Sequence, residues 1–350
     1  MPSTTVLSRE PESIGDTANG KAKAKAIPYV VEDCLGVMKL LSDGTVIRSA
    51  PPPFPAGANY DDGRVEWKDA VYDAQYNLGV RIYRPRLGQV NSKLQLPVLV
   101  YFYGGGFVFG SCWDITGPAT NADSYSWPKN HAGCLRLACE LPAVVLSFDY
   151  RLAPEHPLPA AMEDSATALR WLATRISSRS DPWLAEDACI FLGGQSSGAT
   201  LAHHLLLRPH PMVKIAGCIL LMPPFLSETA TQSELETPDT AFLSLKMSDK
   251  YFRLMMPVGA NKDDPLVNPF GPASPSLETA DVGRMLVVAA ECDMVRDKDI
   301  EYADRLKAMG KDVELAVFPG QEHAFFATKP FSPAADQLLT VIKRFLDQRK

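Results

Sequence analysis

Short apolar runs alternate with helical stretches along most of this chain, and that alternation limits its architecture more than any single residue does. The runs are Leu96–Tyr103 (LPVLVYFY), Ala143–Phe148, Asp187–Leu192, Ile215–Met222, Met285–Ala290 and Val313–Phe318. Each is nearly continuous in hydrophobic residues, as strands buried on both faces of a sheet are. Between them the spacing predicts helices at His131–Glu140, Pro159–Arg175, Ser197–Arg208, Lys298–Met309 and Ala334–Gln348. A proline opens the second of these and Gly310 stops the fourth, both positions where those residues suit a helix end. Ahead of the series, Val65–Tyr83 and its flanks read as early strands with alternating residues, ending at Arg84-Pro85. Strands joined by crossover helices, with no repeat period, predict one doubly wound α/β domain over residues 28–350. The chain has 350 residues, 46% of them hydrophobic, enough to bury one large core.

Three segments break the rhythm. Residues 1–27 mix Ser, Thr, Glu, Gly and Lys, with Lys21, Lys23 and Lys25 alternating with alanine, and read as a disordered tail. No run there has signal-peptide length, Glu10, Glu12 and Asp16 argue against a transit peptide, and no later run is long enough to span a membrane. A cytosolic protein is the expectation. Ser111–Pro128 is a polar loop expected to line a pocket entrance, and residues 223–275, rich in Pro, Asn and Asp around a helical segment Thr240–Met256, are expected to form a cap. The net charge of −6 gives no basic footprint for nucleic acid or an anionic membrane. Seven cysteines form no CxxC pair and no Cys/His metal spacing, which predicts buried free thiols and no metal.

The chemistry concentrates at Gly194-Gln195-Ser196-Ser197-Gly198, a G-x-S-x-G pattern. The letters alone carry little, because glycine and serine are common. Their place carries more: they follow the apolar run Cys189–Leu192 and open a helix, so Ser196 sits on a sharp strand-to-helix turn. The bland alternative is a serine that merely caps the helix. A serine hydroxyl needs a base, and there are six histidines. His131 starts a helix, His156 lies in a Pro-rich turn, His203 and His204 ride the helix behind Ser196, and His210 stands between prolines. His323, in Gly320-Gln321-Glu322-His323 after the last run, is the one at a strand end. Asp293, after the penultimate run, is the carboxylate expected to orient it, with Asp297 the runner-up (and a candidate helix cap) and Glu291 a weaker alternative. Tyr103-Gly104-Gly105-Gly106-Phe107 follows LPVLVYF, and its glycines let the backbone N–H groups of Gly105 and Gly106, with that of Ser197, turn toward a developing oxyanion.

Together with Asp149-Tyr150-Arg151-Leu152-Ala153-Pro154-Glu155-His156-Pro157, these elements resemble the plant carboxylesterase family, relatives of hormone-sensitive lipase that also include hydroxyisoflavanone dehydratases and gibberellin receptors. The resemblance spans residues 30–345. It implies an α/β-hydrolase fold with a mostly parallel central sheet flanked by helices and a cap drawn from about 28–60 and 223–275. It also implies small lipophilic ester substrates and no cofactor. The family usually has His at position 103, Asp at 195 and commonly Asn at 200, where this chain has Tyr103, Gln195 and Thr200. The loop 114–126 also looks longer than usual. Tyr103, Phe107 and Gln195 are therefore expected at the substrate pocket. The leading reading is a serine carboxylesterase using Ser196, His323 and Asp293. Elimination or cyclisation in the same pocket is the alternative, with the Tyr103 phenol as a candidate proton carrier. A hormone receptor is the third reading, weakened because the receptors lose the histidine that His323 retains.

Overall fold

The computed structural model describes residues 27–48, 61–86, 95–112, 128–208 and 211–348. The expectations for most of the N-terminal tail, for residues 49–60, for His210 and for most of the loop after Ser111 lie outside the described residues.

The six apolar runs become β6 (Val98–Phe102), β7 (Val144–Phe148), β8 (Ile190–Gln195), β9 (Ile215–Leu221), β10 (Met285–Ala290) and β11 (Val313–Phe318). Ahead of them, Val65–Tyr83 divides into β4 (Val65–Asp73) and β5 (Leu78–Pro85). These eight strands form one sheet in the order β11-β10-β9-β8-β6-β7-β5-β4. All neighbours from β11 to β7 are parallel, and β5 and β4 join antiparallel. The central strands are buried along their whole length, whereas β4, at the edge, alternates between covered and open residues. That difference is what the sequence pattern records.

The expected helices form as α1 (Pro128–Glu140), α2 (Ala160–Ser177), α3 (Ser197–Leu206), α6 (Arg296–Ala308) and α8 (Pro333–Asp347), with shorter α4 (Gln232–Glu236) and α7 (Phe325–Thr328). The helix anticipated at 240–256 is α5 (Leu245–Met255), capped by the Ser244 hydroxyl. From β6 the chain goes to β7 on one side and then returns to β8 on the other. The carboxyl ends of β6 and β8 thus flank the point where the winding reverses, where open α/β sheets bind ligands. The fold is that of an α/β hydrolase.

One element was not visible in the sequence. Residues 30–48 form a three-stranded antiparallel sheet: β1 (Val30–Cys34), β2 (Met38–Leu41) and β3 (Val46–Arg48). Its strands are short and mostly half-buried or exposed, without the apolar runs that mark the main sheet. Cys34, Val37 and Met38 sit in the hydrophobic core, and polar contacts add to that attachment. Glu32 pairs with Arg253 at 2.7 Å, and Lys250 donates to the Asp33 carbonyl. Arg48 donates to the carbonyls of Val108 at 2.7 Å and Ala153 at 2.9 Å. Residues 30–48 therefore lie against α5 and the loop that follows β6.

Candidate active site

Ser196 stands between β8 and α3 with φ 52° and ψ −125°, a conformation that side-chain-bearing residues rarely adopt. Its N–H donates to the Leu221 carbonyl at 2.8 Å, which ties the turn to the end of β9. The flanking glycines are a steric necessity. A Cβ on Gly194 would lie 2.1 Å from the Gly198 carbonyl oxygen, and one on Gly198 would lie 2.0 Å from that of Phe102. Ser196 makes no side-chain cap bond to α3. Its Oγ lies instead 2.9 Å from Nε2 of His323, so the helix-cap alternative does not describe it.

His323 arrives from the loop after β11, and its Nδ1 is 2.6 Å from Oδ2 of Asp293, in the loop after β10. The two loops are joined by the Cys292 N–H, which donates to the Gln321 carbonyl at 2.8 Å, and by the Gly320 N–H, which donates to Glu291 at 2.7 Å. Ser196, Asp293 and His323 are all buried. A carboxylate only accepts, so Nδ1 carries the imidazole proton and Nε2 is left to accept from the Ser196 hydroxyl. The Phe242 ring lies nearly parallel to the imidazole, 6.4 Å away.

The alternatives from sequence fall elsewhere. Glu291 binds the Gly320 N–H. Asp297 accepts from the Ser233 N–H at 2.7 Å and from Arg296 at 2.8 Å, so it docks α4 and does not cap its own helix. His203 bonds Tyr302 at 2.9 Å and His204 bonds the Leu266 carbonyl at 3.1 Å. Burial depresses their pKa values to about 3 and about 4. His131 sits beside the Tyr83 hydroxyl, and His156 meets the ring of Tyr76 edge-on.

After β6 the chain makes a tight loop in which Val108 and Phe109 both donate to the Gly105 carbonyl at 3.0 Å. Among the described residues, the N–H groups of Gly105 and Gly106 have no backbone acceptor. Ser197 opens α3, and the N–H of a first helical residue has no partner within its helix. Ser196, His323, Gly104, Gly105 and Gly106 all line one cavity of about 440 Å³. That volume suits a small organic ligand. α5 lies over the loop: a Cβ on Gly106 would come within 2.6 Å of the Tyr251 ring.

A family model described as alpha/beta hydrolase fold matches residues 99–327. The chain is 32% identical over 333 residues to a 2-hydroxyisoflavanone dehydratase of Glycyrrhiza echinata, covering 89% of this chain and 94% of that one. It is 34% identical over 305 residues to a probable carboxylesterase 6 of Arabidopsis thaliana, covering 85% and 84%. The chain belongs to the plant carboxylesterase family of α/β-hydrolases. Among solved structures, this hydrolase resembles an esterase of the archaeon Pyrobaculum calidifontis, with TM-score 0.64, 28% identity, and coverage of 81% and 84%.

The positions singled out from the resemblance, Tyr103, Gln195 and Thr200, have distinct surroundings. The Tyr103 ring stacks on Tyr150 at 4.7 Å and fills the space beside Gly110, where a Cβ would lie 2.2 Å from it. Its hydroxyl donates to Asp149 at 3.2 Å, a carboxylate that also accepts from the Cys112 N–H. The Tyr150 hydroxyl returns to the Tyr103 carbonyl at 2.9 Å. Burial, reinforced by Asp149, raises the Tyr103 phenol well above its ordinary pKa. Burial also raises the Asp149 carboxyl, against the hydrogen bonds that oppose the rise. Tyr103 therefore touches the cavity with its ring while its hydroxyl is engaged in the protein. Gln195 lines the cavity, but Phe107 does not. The correction has a local cause: Phe107 has a positive φ of 60° and packs its ring edge on Tyr150. The Thr200 hydroxyl is buried on α3 without a hydrogen-bond partner among the described residues. Phe242 and Tyr251, which line the cavity, and Asp149, which accepts from the Tyr103 hydroxyl, were not singled out as site residues from the sequence. Only Asp149, a lone carboxylate at the end of an apolar run, had a signal that could have found it. No helix of the described residues is long and apolar enough to cross a membrane.

Proposed function

We propose that this hydrolase is a serine carboxylesterase acting on a small lipophilic ester. The observation that carries the reading is the continuous relay from Asp293 through His323 to Ser196 at 2.6 and 2.9 Å, facing a cavity lined by Gly105 and Gly106. Ser196 Oγ bonds to the ester carbonyl carbon as its proton passes to Nε2 of His323. The carbonyl oxygen, now anionic, takes hydrogen bonds from the N–H groups of Gly105, Gly106 and Ser197. Collapse breaks the bond to the alcohol, which leaves with the proton from His323. Water then repeats the sequence on the acyl-enzyme and releases the acid. Asp293 holds the imidazole in the required tautomer and balances its charge. Residues 28–48 and 223–275 act as the cap, with α5 over the glycine loop.

Steady-state hydrolysis of nitrophenyl acetate and butyrate tests this. Turnover should fall by about four orders of magnitude in Ser196→Ala and Asp293→Asn, while Asp297→Asn stays within about tenfold of the native enzyme. Asp297→Asn matching Asp293→Asn in its loss would show that the wrong carboxylate has been chosen.

The similarity to a 2-hydroxyisoflavanone dehydratase favours elimination as the second reading. There His323 would take a proton from carbon as the carbon–carbon double bond forms and the C–O bond breaks, and the protonated imidazole would return that proton to the departing hydroxide, releasing water. The Tyr103 hydroxyl, bonded to Asp149, is not the acid or base in either scheme. Phosphonate labelling at Ser196 without ester turnover would select elimination.

A further inference from the structure

The cavity extends well beyond the reacting groups. Besides Ser196 and His323, it is lined by Tyr101 of β6, Gly133 and Leu137 of α1, and Leu338, Leu339 and Ile342 of α8, and we refer to this side of it as the arm between α1 and α8. Gly133 and Leu137 are one turn apart on α1, and Leu338 and Ile342 one turn apart on α8, so each helix turns a single face inward. Arg136 of α1 and Asp336 of α8 form an ion pair that bridges the two walls.

Most polar groups along this arm are already engaged. The Asn130 amide donates to the Ser111 carbonyl and the Ser147 hydroxyl, and the Thr328 hydroxyl donates to the carbonyls of Ala324 and Phe325. The Tyr101 hydroxyl alone has no hydrogen bond to the described residues, which leaves room for one polar atom of a ligand. A second observation concerns Gly133. It stands inside α1, where glycine destabilises a helix relative to alanine, and a Cβ built there meets no atom of the described residues within 4 Å. Neither backbone strain nor close packing explains a glycine there. The absent side chain leaves the arm open.

Building on the hydrolase reading of the same site, we infer that the substrate carries a medium-length hydrocarbon half and that this half lies in the arm between α1 and α8. Carbonyl chemistry takes place at the junction with Ser196. The other half lies beneath α5, where the Gln195 amide and the Tyr251 hydroxyl make no hydrogen bonds within the described residues. Both residues are half-buried, and a polar atom of the ligand that pairs with either gains a hydrogen bond there.

The test compares ethyl acetate, ethyl octanoate and octyl acetate as substrates of the native chain and of Gly133→Phe, a change that fills the arm from an open position. The native chain should hydrolyse one of the octyl esters with kcat/KM at least about tenfold above ethyl acetate, and which one it prefers tells whether the acyl or the alcohol half enters the arm. In Gly133→Phe that ratio should fall about tenfold or more, at an unchanged or higher melting temperature. An unchanged ratio in a folded variant, or no preference for either octyl ester in the native chain, overturns the inference. An unreactive ligand separates this outcome from failure of the hydrolase reading. Decanol should raise the melting temperature of Ser196→Ala and fail to raise that of Ser196→Ala with Gly133→Phe, whether or not any ester is cleaved. Equal shifts in both, or no shift in Ser196→Ala, would also overturn it.

Discussion

The carboxyl edge of the main sheet and the small sheet at residues 30–48 both border the cavity, yet they are built in opposite ways. At the edge, Ser196 is fixed by backbone: its turn allows no Cβ at Gly194 or Gly198, and its partners His323 and Asp293 are buried on loops tied to each other. The small sheet exposes Val30, Val31 and Leu35 but seats Cys34, Val37 and Met38 in the core, and charged side chains such as Glu32, Lys250 and Arg48 add contacts at its surface. Steric exclusion in a packed core tolerates almost no change, whereas ion pairs at a surface contribute little. Ser196 and its partners are thus held by tight packing, while the ion pairs at the surface of the small sheet can change at little cost in stability.

If that contrast is real, the largest effect belongs to Gly198→Ala. The added methyl would meet the Phe102 carbonyl at 2.0 Å, so the turn must be rebuilt. We expect destabilisation of about 4 kcal/mol or more, read as loss of soluble protein or a collapsed melting temperature. A well-folded, active Gly198→Ala would break the comparison on its core side.

Tyr103→Phe should come next. It removes the hydroxyl that donates to buried Asp149, which costs about 1–3 kcal/mol when the partner stays buried. If the bond also sets the glycine loop, kcat falls with little change in KM. Tyr103→His should recover part of kcat, since an imidazole can also donate. A change in stability with kcat intact would reduce the residue to packing.

A smaller effect is expected from acid. His203 and His204 are held near 3 and 4 by burial, below their ordinary 6.5, so the unfolded chain binds protons that the folded chain refuses. This contribution is fully present above pH 6.5 and is lost as the pH falls below it, by up to about 1.4 kcal/mol per pH unit for each histidine. His203→Phe should make the decline in melting temperature between pH 6.5 and 4 shallower. An identical slope would remove His203 as a cause.

The smallest belongs to Glu32→Ala. Its partner Arg253 is more than half exposed, so stability should change by less than about 1 kcal/mol, with the effect appearing in KM. A large loss of stability there would show that this ion pair does more than join two surface side chains.

What could be read from the chain follows the same division. Five of the six apolar runs became the interior strands β6 to β10, which are apolar because both faces of the sheet are covered, and the sixth became the edge strand β11, which is mostly half-buried. Ser196, His323 and Asp293 were legible because strand-end positions and chain order restrict which residues can meet. Residues 30–48 were not read as strands, because three short strands, mostly half-buried or exposed, carry no continuous apolar run. Phe107 was misplaced because the direction of its side chain depends on a positive φ within the glycine loop, which one-dimensional spacing does not carry. The surroundings of Tyr103 depend on Asp149, 46 residues away in sequence, and no local pattern links them.

The central claim is that Ser196 is the activated nucleophile of a relay completed by His323 and Asp293. The most direct measurement is peptide mapping of the intact protein after reaction with a fluorophosphonate. We predict a single adduct, on Ser196, formed far more slowly in His323→Ala and absent in Ser196→Ala. An adduct on another serine that persists in Ser196→Ala would contradict the account.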